Sequence, residues 1–173
     1  METAGLDTDE AMTLQRDRKH FIRRQPMNGE PVLVMLVEDN VDHAELVMRT
    51  LADHRVLNQI RHFLDGQAAL DYLFNREPYT DPAENPRPHL ILLDLRLPRV
   101  DGLEVLKVIK ETEELRHIPV VVLTTSEADR DVTRAYEHHV NSYLVKPVGY
   151  EGFNELMEDL GFYWLGWNTN PHA

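Results

Sequence analysis

The stretch from His89 to Pro98, HLILLDLRLP, constrains the fold more than any other part of the chain. Five mostly apolar residues end in the carboxylate of Asp94, and Pro88 and Pro98 bound the run. A continuous apolar run of this length is typical of a strand in a parallel sheet that helices cover on both faces. Ligand sites in such sheets lie at the carboxyl ends of the strands. We therefore predict that Asp94 stands at the functional edge of a parallel sheet.

Other segments alternate between strand character and helical spacing of apolar residues. The predicted strands are residues 32–37, 59–63, 89–93, 120–123 and 141–145. The predicted helices are residues 40–51, 68–74, 103–113, 128–138 and 153–167. Five strands that alternate with five helices imply right-handed βαβ units. The predicted fold is α/β and doubly wound, with a five-stranded parallel sheet in the order 2-1-3-4-5.

The length of 173 residues suits one domain with appendages. We assign the domain to residues 31–168, with an N-terminal extension at residues 1–30 and a C-terminal tail at residues 169–173. Residues 75–88 contain four prolines, and we predict that they form an inserted surface loop.

The composition argues against several classes of partner. The formal net charge is -12, from 30 acidic residues against 18 Lys and Arg, and this balance opposes binding to DNA or to an anionic membrane surface. The chain has no cysteine, its first residues lack an apolar signal core, and no apolar run approaches the length of a membrane span. We expect a soluble, cytoplasmic protein whose partners include neither DNA nor a membrane.

Polar residues stand at the ends of four predicted strands. These strands end in Glu38-Asp39, Asp94, Thr124 and Lys146, and the order 2-1-3-4-5 brings the four ends to one crevice. Three neighbouring carboxylates repel one another unless a cation joins them, and oxygen-only ligands suit Mg²⁺. Phosphoryl transfer to a carboxylate also needs a second cation and a hydroxyl donor. Lys146 and Thr124 are residues of those two types.

This set of residues resembles the two-component response regulator receiver domain, over about residues 31–165. The matching motifs are the acid pair Glu38-Asp39, Asp94 with Leu97-Pro98 and Asp101-Gly102, Thr124, and Lys146-Pro147. The resemblance implies a flavodoxin-like receiver fold in which Asp94 accepts a phosphoryl group from a sensor histidine kinase. It implies no enzyme activity beyond transfer to the protein's own aspartate and slow autodephosphorylation.

The resemblance also implies roles for the residues around Asp94. Asp39, Asp94 and the backbone carbonyl of Arg96 would hold Mg²⁺, and Glu38 would act on the ion through water. Many receivers have Asp at the position of Glu38, and the longer side chain keeps the charge but disfavours direct coordination.

Three residues of the set would serve the transfer and the switch. Lys146 and Thr124 would assist phosphoryl transfer, and Thr124 and Tyr143 would form the switch pair. Tyr143 also fits an ordinary, partly buried aromatic residue. The Lys146-Pro147 bond is predicted to be cis, because the strand must end sharply while it holds the lysine over the phosphate.

A narrower resemblance concerns the stand-alone regulators that are encoded with bacterial phytochrome kinases. It rests on the proline-containing loop, on Leu123–Ser126, on His139–Asn141 and on Phe162–Leu165. A bacteriophytochrome is therefore the narrower candidate for the partner kinase.

Two other functions compete with the signalling one. An aspartate-nucleophile phosphatase of the haloacid dehalogenase kind needs a second acid two residues after the nucleophile, and that position is Arg96. A non-phosphorylated interaction scaffold that uses the last helices remains open. Nucleotide binding is disfavoured, because neither a G-x-x-x-x-G-K-[ST] nor a G-x-G-x-x-G motif occurs.

Output is expected through a protein surface, since only 26 residues follow Pro147. The candidate face comprises the helix at 128–138, the strand at 141–145 and the last helix. Phe162 and Leu165 lie off the main apolar stripe of that helix, and an isologous homodimer would cover them. We therefore predict a homodimer both before and after phosphorylation.

Overall fold

The computed structural model describes residues 32–52, 58–161 and 163–164. The predictions for the extension at 1–30, for the tail at 169–173, and for Phe162 and Leu165 lie outside the described residues.

A five-stranded, wholly parallel sheet forms the centre of the domain, in the order β2-β1-β3-β4-β5. This confirms the predicted doubly wound sheet. The strands are β1 Val32–Val37, β2 Asn58–Phe63, β3 Leu90–Leu93, β4 Val120–Thr124 and β5 Ser142–Val145. All residues of β3 and β4 are buried. These strands need apolar side chains on both faces, which explains their unbroken runs.

Within the described residues, five helices connect and cover the strands. They are α1 Val41–Ala52, α2 Gly66–Leu73, α3 Gly102–Glu111, α4 Asp129–Glu137 and α5 Tyr150–Gly161. Alternate residues of the strands contribute to two cores. One core packs against α1 and α5, and the other packs against α2, α3 and α4. Asn40 caps α1 as predicted, because its side chain accepts a hydrogen bond from His43 N at 3.0 Å.

The turn between β3 and α3 brings two backbone segments into close approach. A Cβ atom added to Gly102 would lie 2.1 Å from the carbonyl oxygen of Asp94 and 2.6 Å from Leu95 Cα. Only glycine fits this position without a shift of the neighbouring backbone. Asp101 caps α3 by accepting a hydrogen bond from Leu103 N at 2.9 Å. The Asp-Gly pair thus fixes the segment that carries Asp94.

The segment between α2 and β3 has no helix or strand, as predicted for residues 75–88. Tyr79 packs against Phe63 and Tyr72, and the Tyr72 hydroxyl donates a hydrogen bond to the carbonyl of Pro86 at 2.7 Å. These aromatic contacts tie the loop to the β2 edge of the domain. Within the described ranges, no helix combines the length and the apolar character needed to cross a membrane.

Candidate functional site

Four buried polar side chains meet at the carboxyl end of the sheet. Glu38 follows β1, Asp94 follows β3, Thr124 ends β4 and Lys146 follows β5. Each is at most 6% exposed. The structure therefore brings these four predicted residues together, and their burial requires that they satisfy one another.

Lys146 joins the two buried carboxylates. Its Nζ atom lies 2.5 Å from Glu38 Oε2 and 2.7 Å from Asp94 Oδ2, while its backbone N donates to the Thr124 carbonyl at 2.8 Å. The ammonium group offsets the repulsion between the two acids, so both are tolerated in a buried position.

Asp94 is held in its ionised form. Burial by itself would raise the pKa of Asp94, but the hydrogen bond and charge of Lys146 act against it. Hydrogen bonds from Arg96 N and the Thr124 hydroxyl act in the same direction as Lys146, and together they lower the pKa below its ordinary value. Arg96 N lies 3.1 Å from Asp94 Oδ1. A buried, charged carboxylate of this kind is a suitable nucleophile.

The pKa of Glu38 is shifted in the opposite direction to that of Asp94. Burial raises its pKa, and the hydrogen bond and charge of Lys146 offset this effect only in part. Its Oε1 atom accepts a hydrogen bond from Asn40 N at 3.2 Å, while Oε2 contacts Lys146. Both oxygens thus have protein partners, and the longer side chain is used to reach the lysine.

Asp39 completes an oxygen-rich cluster. Glu38, Asp39 and Asp94 each present a carboxylate oxygen, and the three oxygens lie within 4.8 Å of one another. Asp39 is exposed and the other two are buried, so the cluster opens to solvent on one side. An all-oxygen donor set with room for water fits a hard divalent cation such as Mg²⁺.

Thr124 and Tyr143 are connected through a third residue. The Thr124 hydroxyl accepts a hydrogen bond from Ser126 N at 3.3 Å, and the half-buried Tyr143 donates its hydroxyl to the Ser126 carbonyl at 2.8 Å. Burial raises the pKa of Tyr143, so the phenol stays protonated and remains a donor. The two predicted switch residues therefore share Ser126 as a common partner.

An ion pair that the sequence reasoning missed lies beside the site. The guanidinium of Arg96 contacts the carboxylate of Asp131 on α4, and Asp131 also accepts a hydrogen bond from Ser126 Oγ at 2.6 Å. Asp131 is 3% exposed and lies one helical turn before the buried Ala135. An acid on the inward stripe of α4 was the available sequence signal, since buried acids require partners.

The prediction of a cis Lys146–Pro147 bond is wrong. Among the described residues the cis bond is Glu77–Pro78, and Lys146–Pro147 is trans. With a trans bond, Lys146 already reaches both carboxylates while its backbone N stays bonded to Thr124. The position of Lys146 therefore does not require a cis bond, and the bond keeps the trans form that X-Pro bonds intrinsically prefer by about 0.5–1 kcal/mol.

Comparison with known proteins accounts for this arrangement. Residues 34–158 match the model of the response regulator receiver domain. The chain belongs to the receiver domain family of response regulators. Members of this family are generally signalling proteins rather than classical enzymes, and a receiver domain implies a sensor histidine kinase as its partner.

Two curated relatives cover most of this receiver. The probable methanogenesis regulatory protein FilR2 of Methanothrix harundinacea is 50% identical over 142 residues, which is 82% of this chain and 89% of FilR2. Response regulator Rcp1 of Synechocystis is 40% identical over 146 residues, which is 84% of this chain and 97% of Rcp1. The receiver is thus similar to single-domain regulators along nearly their whole length.

Solved structures agree with the fold. The crystal structure of the Mn²⁺-bound form of Rcp1 has a TM-score of 0.78, covering 82% of this chain and 99% of that one. The phosphorylated cyanobacterial phytochrome response regulator RcpA has the same TM-score at 37% identity, with coverage of 82% and 99%. These similarities confirm the receiver fold and the likeness to phytochrome response regulators that the sequence predicted.

Proposed function

We propose that this receiver accepts a phosphoryl group on Asp94 from the phosphohistidine of a sensor histidine kinase. The observation that carries the proposal is the ionised, buried Asp94, which Lys146 contacts at 2.7 Å. The Thr124 hydroxyl and an acidic cluster lie beside it. A nucleophilic carboxylate, a cation and a hydroxyl donor are the groups that phosphoryl transfer to an aspartate requires.

The transfer follows from these positions. A carboxylate oxygen of Asp94 attacks phosphorus while the bond between phosphorus and the imidazole nitrogen breaks. The electron pair of that bond stays on the imidazole, which then takes up a proton, and Asp94 becomes an acyl phosphate. Lys146 and Thr124 supply positive charge and a hydrogen bond to the phosphoryl oxygens as negative charge develops on them.

We further propose that Mg²⁺ is the resident cation. Asp39, Asp94 and the backbone carbonyl of Arg96 would hold it, with Glu38 acting through water. When bound, the ion neutralises negative charge on the transferred oxygens. The close contact of Glu38 with Lys146 supports an indirect role for Glu38. The Mn²⁺-bound form of Rcp1 supports divalent metal binding in a similar protein.

Acetyl phosphate labelling tests the proposed acceptor. Incubation with acetyl phosphate and Mg²⁺ should add one phosphoryl group by intact mass, and EDTA should abolish the addition. Asp94→Asn should take up none, whereas the matched control Asp42→Asn, an exposed acid nearby on α1, should label normally. Undiminished labelling of Asp94→Asn would refute the assignment.

The proposed partner is a sensor histidine kinase, with a bacteriophytochrome as the narrower candidate. Similarity to RcpA, a phytochrome response regulator, supports the narrower proposal, while the name of FilR2 points to a different physiological input. Phosphotransfer from a panel of purified histidine kinases, with and without a phytochrome photosensor, distinguishes the two. Fast transfer only from kinases of other sensory classes would refute the phytochrome assignment.

We also propose that output is cytoplasmic, involves no DNA or membrane, and proceeds through a homodimer that uses α4, β5 and α5. Phe162 and Leu165 are the proposed interface residues. Sedimentation equilibrium at micromolar concentration should show a dimer for the wild type and a monomer for Phe162→Glu and Leu165→Glu. A wild-type monomer, or a dimer that the substitutions do not affect, would place the output surface elsewhere.

A further inference from the structure

The first turn of α4 carries a carboxylate that the proposed chemistry does not use. Asp131 is 3% exposed, on a helix whose only other buried residue is Ala135. A carboxylate at this depth is strongly destabilising unless it is paired. Two groups contact its Oδ2 atom, the guanidinium of Arg96 and the hydroxyl of Ser126 at 2.6 Å.

These contacts lead directly to the reacting carboxylate. Arg96 donates its backbone N–H to Asp94 Oδ1 at 3.1 Å while its side chain contacts Asp131. Ser126 contacts both proposed switch residues, since its N–H donates to the Thr124 hydroxyl and its carbonyl accepts from Tyr143. The network therefore connects the phosphoacceptor segment, the β4–α4 loop and the first turn of α4.

A second ion pair on the same segment provides a contrast. Arg99 contacts Asp65 at 3.4 Å, and the side chains are 60% and 18% exposed. Exposed pairs of this kind contribute little. The Asp131 side chain is 4% exposed against 52% for Arg96, so the pair has one partner that cannot be resolvated in place and one that can move. Because Arg96 is the exposed partner, it can leave Asp131 and bind another group, whereas Asp131 must stay in place.

We propose that the Arg96–Asp131 ion pair is a latch on the unphosphorylated state, which rests on the proposed phosphorylation of Asp94. A phosphoryl group presents about two negative charges and three acceptor oxygens, and guanidinium groups bind such oxygens strongly. The phosphoryl group on Asp94 therefore competes with Asp131 for Arg96. When Arg96 turns to the phosphoryl group, Asp131 loses its close cation and keeps only the exposed Arg130, whose Nε lies 3.9 Å from Asp131 Oδ1. The first turn of α4 is then released. Asp131 is thus a positioning residue that acts through Arg96.

The latch makes a prediction that a purely structural ion pair does not. Asp131→Asn keeps the shape and the hydrogen-bonding capacity of the side chain but removes its charge, so Arg96 is free for the phosphoryl group. With acetyl phosphate and Mg²⁺, the donor concentration for half-maximal labelling should fall by roughly fivefold or more, within the usual range of coupling between sites. In the Arg96→Ala background the same substitution should have no effect on labelling. Arg99→Ala, which removes the exposed ion pair, is the matched control and should label like the wild type.

Hydrogen exchange of the α4 backbone gives an independent readout. In the wild type, exchange at residues 128–132 should increase on phosphorylation. In Arg96→Gln, exchange there should already be fast without phosphorylation, and thermal unfolding should verify that this variant is folded.

Three results would overturn the latch. They are unchanged labelling of Asp131→Asn, an equal gain in the Arg96→Ala background, or α4 exchange that does not respond to phosphorylation or to Arg96→Gln. If the wild type takes up no phosphoryl group at all, the proposed function fails together with the latch. Normal labelling without dependence on Arg96 refutes the latch alone.

Discussion

Lys146→Met should lower the stability of the protein, because Lys146 offsets the repulsion between two buried carboxylates. The substitution keeps a flexible side chain of similar length and removes the only cation that contacts both Glu38 and Asp94 among the described residues. Two buried carboxylates would then face each other without the cation that they share, and the neutral donors Asn40 N and Arg96 N would remain. Removal of one partner from a buried ion pair costs about 3–5 kcal/mol. For a chain of this size the melting temperature should fall by roughly 6–20 °C in EDTA.

Mg²⁺ should restore much of this loss. In the wild type, Lys146 and the ion compete for the same carboxylates, whereas in Lys146→Met the ion has no competitor. Stabilisation by a ligand grows as the logarithm of its concentration over its dissociation constant, reaching about 2.7 kcal/mol at a hundredfold excess. Millimolar Mg²⁺ should therefore raise the melting temperature of the variant by more than it raises that of the wild type.

Differential scanning calorimetry of both proteins in EDTA and in Mg²⁺ measures the two effects. Lys110→Met is the matched control, because the acceptors that Lys110 Nζ contacts among the described residues are all neutral. They are the carbonyls of Arg116 and Ile118 and the side chain of Asn141. Its melting temperature should respond to Mg²⁺ as the wild type does. Equal stability of Lys146→Met and wild type in EDTA, or an equal response to Mg²⁺, would refute the argument.

Three further predictions follow from the same structure. The Cβ atom of Gly102→Ala would meet the backbone of Asp94. The substitution should therefore destabilise the fold by about 1–3 kcal/mol in urea unfolding and slow labelling with acetyl phosphate. A wild-type labelling rate would contradict this prediction. Burial lowers the pKa of Lys110 to about 8, below the ordinary value that the lysine has in the unfolded chain. At a pH between these two pKa values the unfolded state binds more protons than the folded state does. The free energy of unfolding therefore increases as the pH rises. The stability of wild type relative to Lys110→Met should therefore increase by about 1–2 kcal/mol from roughly pH 7.5 to 9.5, and a flat difference would show that the lysine is not desolvated. Asp39→Ala should weaken Mg²⁺ binding in a calorimetric titration much more than Glu38→Asp does, and equal losses would make Glu38 a direct ligand.

The sheet could be predicted because strands that are buried on both faces consist of apolar residues throughout. In β3 and β4 both faces of every strand are covered, so each run is apolar throughout, and each ends abruptly at a polar residue. Those endings also predicted which side chains would meet, because the carboxyl ends of parallel strands share one edge. The composition of the strands therefore indicated both the fold and the location of Glu38, Asp94 and Lys146.

The pairing of the charged groups could not be predicted in the same way. Arg96 and Asp131 are 35 residues apart, and nothing in their spacing along the chain relates them. Their contact depends on the rotation of α4 about its axis, which its two buried side chains determine only weakly. The error at Lys146–Pro147 has a similar origin, since the trans bond already lets the lysine reach its partners.

Glu38 shows how one methylene changes the interpretation of a site. From the sequence alone, Glu38 is an acid at the end of a strand. Its carboxylate could equally bind a metal ion, bind water or pair with a cationic side chain of the protein. In the structure its Oε2 atom lies 2.5 Å from Lys146 Nζ and its Oε1 atom accepts from Asn40 N, so the carboxylate is committed to the lysine. Lys146 is thereby held against Asp94 before any phosphoryl group arrives. In the proposed transfer to Asp94, the cation that would stabilise the phosphoryl oxygens therefore does not have to be recruited from solvent. This preorganisation would lower the reorganisation that the transfer requires.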